Sequence, residues 1–204
     1  MDYTIEEIAL LAKAISAGGD VWNNLILASI KRKIKDYYRI KNNEQCCYCR
    51  RDFENEFNMV IDIEHILPKS IADFSNYMFD IENLNISCKR CNMNIKKDRI
   101  DFIVDISKIK PNYKVSQKYL FIHPNFDNYF DNIDYQMIIK NNKKLIKYSS
   151  KTDKGKYTYS YFHLDKIEID TLNSAQGIDV KNNDLNEKIP QSIKESLSEL
   201  LSKI

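Results

Sequence analysis

The sequence contains no long hydrophobic run, no large excess of charge and no cysteine outside one short region. No apolar stretch approaches the roughly 20 residues that a membrane-spanning helix needs, so we expect no membrane association. The N-terminal residues lack the basic start and apolar core of a signal peptide, and we therefore expect a cytoplasmic location. Because 43% of the residues are hydrophobic and 29% are charged, the composition is typical of a folded globular protein.

The formal net charge is only +2, so evidence for nucleic-acid binding has to come from local clusters of charge. One basic run, from Lys31 to Lys41, falls on a helix that we predict over residues 21–39. A solvated helix face is the simpler interpretation of this run, and contact with phosphate is the alternative.

The remaining pattern predicts an α+β fold. Thr4 and Glu7 form a capping-box pattern before a helix that Gly18 should end. Further predicted elements are a hairpin with strands at 135–139 and 144–148, a third strand over 157–164, a polar loop over 173–188 and a C-terminal helix over 190–201. We expect three segments, an N-terminal helical part at 1–44, a central module at 45–100 and a C-terminal extension at 101–204.

The cysteines of the central module form two Cys-x-x-Cys pairs, Cys46 with Cys49 and Cys88 with Cys91. A spacing of two residues lets one tight turn direct both sulfurs at a tetrahedral metal ion, and disulfides are rare in the cytosol. The sequence therefore predicts a structural Zn²⁺ site with four thiolate ligands. Cys47 does not fit this spacing, and we expect it to be a free thiol.

The long insert between the pairs contains a further pattern. Residues 59–65 alternate as a β-strand does, and Pro68 should end that strand, which places Glu64 and His65 at its end. A second strand is predicted over 84–87, and a short helix is predicted over 92–99.

The order Glu64-His65-x-x-Pro68, then Asn83-Leu84, then Cys88-x-x-Cys91-Asn92 resembles the ββα-metal module of HNH endonucleases in its zinc-knuckle form. The resemblance covers residues 45–99 and implies a nuclease that cuts DNA, with RNA as the alternative substrate. The first metal ligand is Glu64 where Asp or His is commoner, and Asn92 occupies the position of the second histidine.

The resemblance gives each of these residues a role that its chemistry supports. His65 is the general base, since an imidazole can accept the proton of an attacking water near neutral pH. Glu64 and Asn92 hold the catalytic cation, and their oxygen atoms favour Mg²⁺ or Mn²⁺. Asn83 tethers the connecting loop and helps to orient His65.

Basic residues cluster close to these positions and predict contact with nucleic acid. They are Lys69, Lys89, Arg90, Lys96, Lys97 and Arg99. A non-catalytic zinc module that binds nucleic acid or protein is the alternative function, although such a module has no need for Glu64, His65 and Asn92 together. The architecture also resembles nuclease components of bacterial antiphage systems, including the Septu type, which implies an ATPase or another defence-system subunit as a partner.

Overall fold

The computed structural model describes residues 1–110 and 112–171, and it shows a mixed fold of helices and small antiparallel sheets. The chain divides into two compact units. The first contains residues 1–136 and 148–168, so the predicted segments 1–44 and 45–100 and part of 101–204 all contribute to it. Among the described residues, the second unit contains 137–147 and 169–171. The loop predicted over 173–188 and the helix predicted over 190–201 lie outside the described residues.

The first helix follows its capping signals closely. Helix α1 spans Ile5–Ala17, and the Thr4 side chain accepts a hydrogen bond from the Glu7 backbone while the Glu7 side chain accepts one from Thr4. Gly18 ends the helix with a φ of 66°, in the region that glycine adopts without steric cost. The capping box is therefore confirmed. No helix of the described chain has the length and apolar character needed to cross a membrane.

The second helix begins later than the sequence suggested. Helix α2 spans Ala28–Lys41 and follows a 3-10 turn at Leu25–Leu27. The predicted start at residue 21 is wrong because short polar side chains bind the backbone first: Asp20 accepts a hydrogen bond from the Asn23 backbone, and Asn24 caps the 3-10 turn. One face of α2 is buried, through Ile30, Ile34 and Tyr38.

The two strands of the central module pair in antiparallel fashion. Strand β1 spans Ile61–His65 and strand β2 spans Leu84–Cys88, with Ile63 opposite Ile86 and His65 opposite Leu84. Strand β1 starts two residues later than predicted because Asn58–Val60 forms a 3-10 turn. Helix α2 packs against both strands.

A π-helix, Arg90–Lys96, follows β2 at the place where the sequence predicted a short helix over 92–99. It ends when Lys97 adopts a φ of 53°, and the Lys97 backbone donates the wide i to i−5 hydrogen bond to the Asn92 carbonyl. The helical expectation is confirmed, but the helix starts and ends earlier than predicted and has a different winding.

The C-terminal part of the described chain contains the predicted hairpin, with β3 over Ile133–Lys140 and β4 over Lys143–Ser150. The third strand predicted over 157–164 is wrong, since most of that segment is helix α4, Asp153–Tyr161, which follows the 4-residue helix α3 at Tyr129–Asn132. The Thr152 hydroxyl caps α4 by accepting a hydrogen bond from the Gly155 backbone, and this local signal outweighs the strand preference of the tyrosines. The third strand is the short β5, Ile169–Asp170.

Candidate functional site

The four predicted zinc ligands form one buried cluster. The sulfur atoms of Cys46, Cys49, Cys88 and Cys91 all lie within 4.8 Å of one another. Cys46 and Cys49 flank a turn before β1, Cys88 ends β2, and Cys91 lies on the π-helix. Two backbone amides donate hydrogen bonds to sulfur. The Cys88 amide donates to the Cys46 Sγ at 3.3 Å, and the Cys91 amide donates to the Cys88 Sγ at 3.5 Å. The cluster is compatible with a zinc ion, since four thiolates in this proximity match a closed structural site.

The fifth cysteine lies outside this cluster, as the sequence predicted. Cys47 is buried, and its backbone donates to the Ile86 carbonyl at 3.1 Å. Burial raises the pKa of the Cys47 thiol well above its usual value, and hydrogen bonding to Cys46 raises it further. Cys47 is therefore held as a neutral thiol beside the cluster.

One contact that supports the cluster was not predicted from the sequence. The Tyr148 hydroxyl, from strand β4, donates a buried hydrogen bond of 2.5 Å to the Cys49 carbonyl. The contact joins Tyr148 and Cys49, which are distant in sequence, so no local spacing pattern predicts it. It attaches the first knuckle to the end of β4, which belongs to the same compact unit.

His65 lies at the end of β1 and is only 8% exposed. Its Nε2 atom is 3.2 Å from the Met78 carbonyl, and the ring of Trp22 meets it edge to face at a centroid distance of 4.4 Å. Burial, followed by the charges of Lys69 and Lys96, lowers the pKa of His65 to about 3. The imidazole is therefore neutral at neutral pH, which is the form that can accept a proton, although the lowered pKa also weakens it as a base.

Asn83 is fully buried between two loop segments next to His65. Its Oδ1 accepts a hydrogen bond from the Leu67 backbone at 2.7 Å, and its Nδ2 donates to the carbonyls of Leu67 and Tyr77 at 3.1 Å each. The Asn83 carbonyl also accepts from the Ile66 backbone at 2.9 Å. Asn83 thus connects the segment after His65 to the segment that carries Met78.

Glu64 is placed differently from the sequence-based expectation. Its carboxylate is 0% exposed and forms an ion pair with Lys96, with a distance of 2.8 Å between Oε1 and Nζ. The Tyr48 hydroxyl also donates to Oε1 at 3.2 Å. Burial raises the pKa of Glu64, while the charge of Lys96 opposes that shift. The structure does not bring Glu64 together with Asn92, because Glu64 faces the interior.

Lys96 is consequently not available to phosphate, contrary to its predicted role. It is 1% exposed, and its ammonium also donates to the His65 carbonyl at 2.8 Å. In sequence Lys96 looks like any other lysine of a basic helix, and only its packing against β1 shows that it neutralises Glu64.

The carboxylate beside Asn92 is Asp62, which the sequence analysis did not single out. The Asn92 Nδ2 donates to the Asp62 Oδ2 at 3.2 Å, and Lys89 pairs with the Asp62 Oδ1 at 2.8 Å. Asp62 lies two residues before Glu64 on the same strand, so strand alternation alone would place the two side chains on the same face. The choice between the two acids depends on tertiary contacts.

Asp62, His65 and Asn92 all line one cavity of about 840 Å³ within the first unit. Its lining also includes the single tryptophan, Trp22, and basic residues from three segments, namely Lys31, Arg32, Lys35, Lys69 and Lys97. Two of the predicted nucleic-acid contacts, Lys69 and Lys97, therefore lie at this cavity.

The other predicted contacts have protein partners. Lys89 binds Asp62, as described above, and Arg90 donates to the His163 carbonyl at 2.7 Å. Arg99 forms an ion pair with Asp101, and its guanidinium lies 4.3 Å from the ring centroid of Tyr161. None of these three residues lines the cavity of His65.

Comparison of the chain with protein-family models, with curated proteins and with solved structures finds no match.

Proposed function

We propose that this chain is a metal-dependent nuclease of the HNH type that hydrolyses phosphodiester bonds of DNA. The observation that carries the proposal is the cavity in which His65 lies with Asp62 and Asn92 beside a set of basic side chains. Phosphodiester hydrolysis needs a base for water, oxygen ligands for a cation and a positive environment for the phosphate. The residues that line this cavity offer all three.

His65 would act as the general base. If Nε2 carries the proton and donates it to the Met78 carbonyl, the Nδ1 lone pair is left to accept the proton of a water molecule. Asn83 would keep this geometry through its hydrogen bonds to Leu67 and Tyr77, and Trp22 would limit rotation of the imidazole. These contacts orient the base before the reaction begins.

The oxygen donors that fit a catalytic cation are those of Asp62 and Asn92. Both residues line the cavity, and a carboxylate with an amide oxygen is a donor set that favours Mg²⁺ or Mn²⁺. In the structure the Asn92 amide nitrogen donates to Asp62 and Lys89 pairs with the other Asp62 oxygen, so a cation at this place would displace Lys89 and bind after the Asn92 amide flips its oxygen towards it. At such a site a cation supplies charge neutralisation on the phosphate and on the leaving oxygen. Glu64 does not fit this role while Lys96 holds it in the interior.

The cysteine cluster would bind structural Zn²⁺ and stabilise the elements that carry these residues. The resemblance to antiphage nucleases adds a cellular setting to the proposal: bacterial defence in the cytoplasm, with an ATPase or another defence-system subunit as a partner.

The test is cleavage of supercoiled plasmid by purified protein with Mg²⁺ or Mn²⁺, compared with EDTA. His65→Ala should reduce cleavage by about a hundredfold or more, because the proton acceptor is lost, while zinc content and circular dichroism stay unchanged. His163→Ala is the matched control, since His163 is exposed and does not line the cavity.

Two outcomes would contradict the proposal. If His65→Ala cuts as fast as the parent protein, His65 is not the base. If the parent binds DNA without any metal-dependent cleavage, the non-catalytic zinc module becomes the better description. A labelled RNA of the same sequence, assayed in parallel, identifies the substrate.

A further inference from the structure

One stripe of helix α2 faces the cavity of His65. Lys31, Arg32 and Lys35 lie three, four and seven residues after Ala28, and all four residues line the cavity. Positions at these spacings share one helix face. The opposite face of α2 is anchored through the buried residues Ile30 and Ile34, so the basic stripe is held towards the cavity by the packing of the helix.

Two loop lysines, Lys69 after β1 and Lys97 after the π-helix, extend this basic surface. We call the set of Lys31, Arg32, Lys35, Lys69 and Lys97 the basic rim. The rim has five positive side chains, whereas the acidic residues that line the same cavity are Asp62 and Asp98. The cavity therefore has a surplus of positive charge that attracts a polyanion.

The contacts of the rim within the protein leave much of this charge unneutralised. The Lys31 and Lys35 ammonium groups donate to the carbonyls of Trp22 and Asn58, at 3.3 Å and 2.7 Å, and a carbonyl carries no full charge. Arg32 is 3.9 Å from Asp36 across a strongly exposed pair, which contributes little.

Burial lowers the pKa of Lys35, the charge of Asp62 opposes this shift, and the charges of Lys89, Lys31 and Arg39 add to it. A phosphate group placed on the rim would supply negative charge to these side chains. The nearby ring of Trp22 adds an aromatic surface at the same place, 5.5 Å from the Lys31 ammonium.

We propose that the basic rim binds the sugar-phosphate backbone of the nucleic acid that is presented to His65. The inference rests on the proposed nuclease function and assigns to α2 the task of holding the substrate. It favours phosphate contact over a solvated helix face for the basic run on α2.

The test measures binding without cleavage. The parent protein and Lys31→Gln/Arg32→Gln/Lys35→Gln are titrated into a fluorescein-labelled DNA duplex in EDTA, and anisotropy is followed over a range of KCl concentrations. Each phosphate contact contributes about 0.9 to the slope of log K against log salt, so the triple variant should lower the slope by about 2 to 3 and weaken binding by about tenfold or more. Circular dichroism checks that α2 still folds.

The matched control, Lys13→Gln/Lys33→Gln/Lys110→Gln, removes the same charge from positions that do not line the cavity. It should leave the slope nearly unchanged. Emission of Trp22, the single tryptophan, gives a second readout, because it should change when DNA binds to the parent protein.

The inference is overturned if the rim variant keeps the parent slope, or if the control variant lowers the slope equally, which would show a general effect of net charge. If the parent cuts plasmid and the rim variant binds and cuts equally well, the nuclease proposal survives and the inference fails. If the rim variant loses binding while the parent never cuts, the inference survives and the nuclease proposal fails.

Discussion

From the buried ion pair of Glu64 and Lys96 we predict that Glu64 stabilises the fold and that Asp62 binds the catalytic cation. The two side chains are 0% and 1% exposed, and 2.8 Å separates their charged atoms. Glu64→Gln leaves the Lys96 ammonium buried without its counter-charge. Breaking a buried pair by removing one partner costs about 3 to 5 kcal/mol, a large part of the roughly 5 to 15 kcal/mol that stabilises a typical domain.

Removal of both charges should cost much less. In Glu64→Gln/Lys96→Met the Tyr48 hydroxyl keeps an acceptor, and the methionine replaces the lysine stem. The hydrogen bond from Lys96 to the His65 carbonyl and the contact of the ammonium with the Phe102 ring are lost, so the free energy of unfolding of the double variant should be about 1 to 3 kcal/mol lower than that of the parent. Urea unfolding followed by Trp22 emission and by far-ultraviolet circular dichroism measures all three proteins.

Asp62→Asn should have little effect on stability and a large effect on metal binding. The Asp62 ion pair with Lys89 involves a lysine that is 51% exposed, so its loss should cost less than about 1 kcal/mol of stability. If Asp62 holds the cation, however, the variant should bind Mn²⁺ about tenfold or more weakly. Quenching of Trp22 emission by Mn²⁺ measures this affinity without any substrate.

The affinity of the folded variants for Mn²⁺ distinguishes Asp62 from Glu64 as the metal ligand. The folded double variant at Glu64 and Lys96 should bind Mn²⁺ nearly as well as the parent. If it loses Mn²⁺ binding while Asp62→Asn keeps it, Glu64 is the ligand and the ion pair with Lys96 gives way to the cation.

Three further predictions concern the cysteine cluster, Asn83 and the packing of helix α4. Metal analysis should find one zinc per folded chain, with Cys88→Ala unfolding the central module, and substantially less than one equivalent would refute a resident zinc ion. Asn83→Ala leaves the buried Leu67 amide without its acceptor and should cost about 2 to 4 kcal/mol in urea unfolding. Gly155→Ala would place a Cβ 2.2 Å from the Asn132 carbonyl oxygen and should lower stability by about 2 kcal/mol or more, whereas an unchanged melting temperature would contradict this packing.

The features that the sequence predicted well depend on local spacing. Two Cys-x-x-Cys pairs imply a four-cysteine cluster because ligand spacing and a shared metal geometry leave few alternatives, and the cluster is present. The capping box of α1 and the hairpin of β3 and β4 are equally local signals. Each can be read from a few neighbouring residues.

The features that the sequence predicted poorly depend on contacts between distant segments. Asp62 and Glu64 are equivalent by strand alternation, and a lysine in another element determines which of them faces the interior. The basic stripe of α2 is also ambiguous in sequence, since solvated helix faces are commonly basic. Its position at the cavity follows from the packing of Ile30 and Ile34 and from the contacts of α2 with β1 and β2.

The π-helix explains why a metal cluster and a candidate catalytic site occur together in this module. Within Arg90–Lys96, Cys91 belongs to the cysteine cluster, Asn92 faces Asp62, and Lys96 holds Glu64 and the His65 carbonyl. On the strand side, Cys88 pairs with Ile61, which directly precedes Asp62. Residues that fix the cluster are therefore adjacent to residues that line the cavity in both elements. A zinc ion bound at the cluster would fix the spacing between β1 and the π-helix, and this spacing determines whether Asp62 and Asn92 can act together.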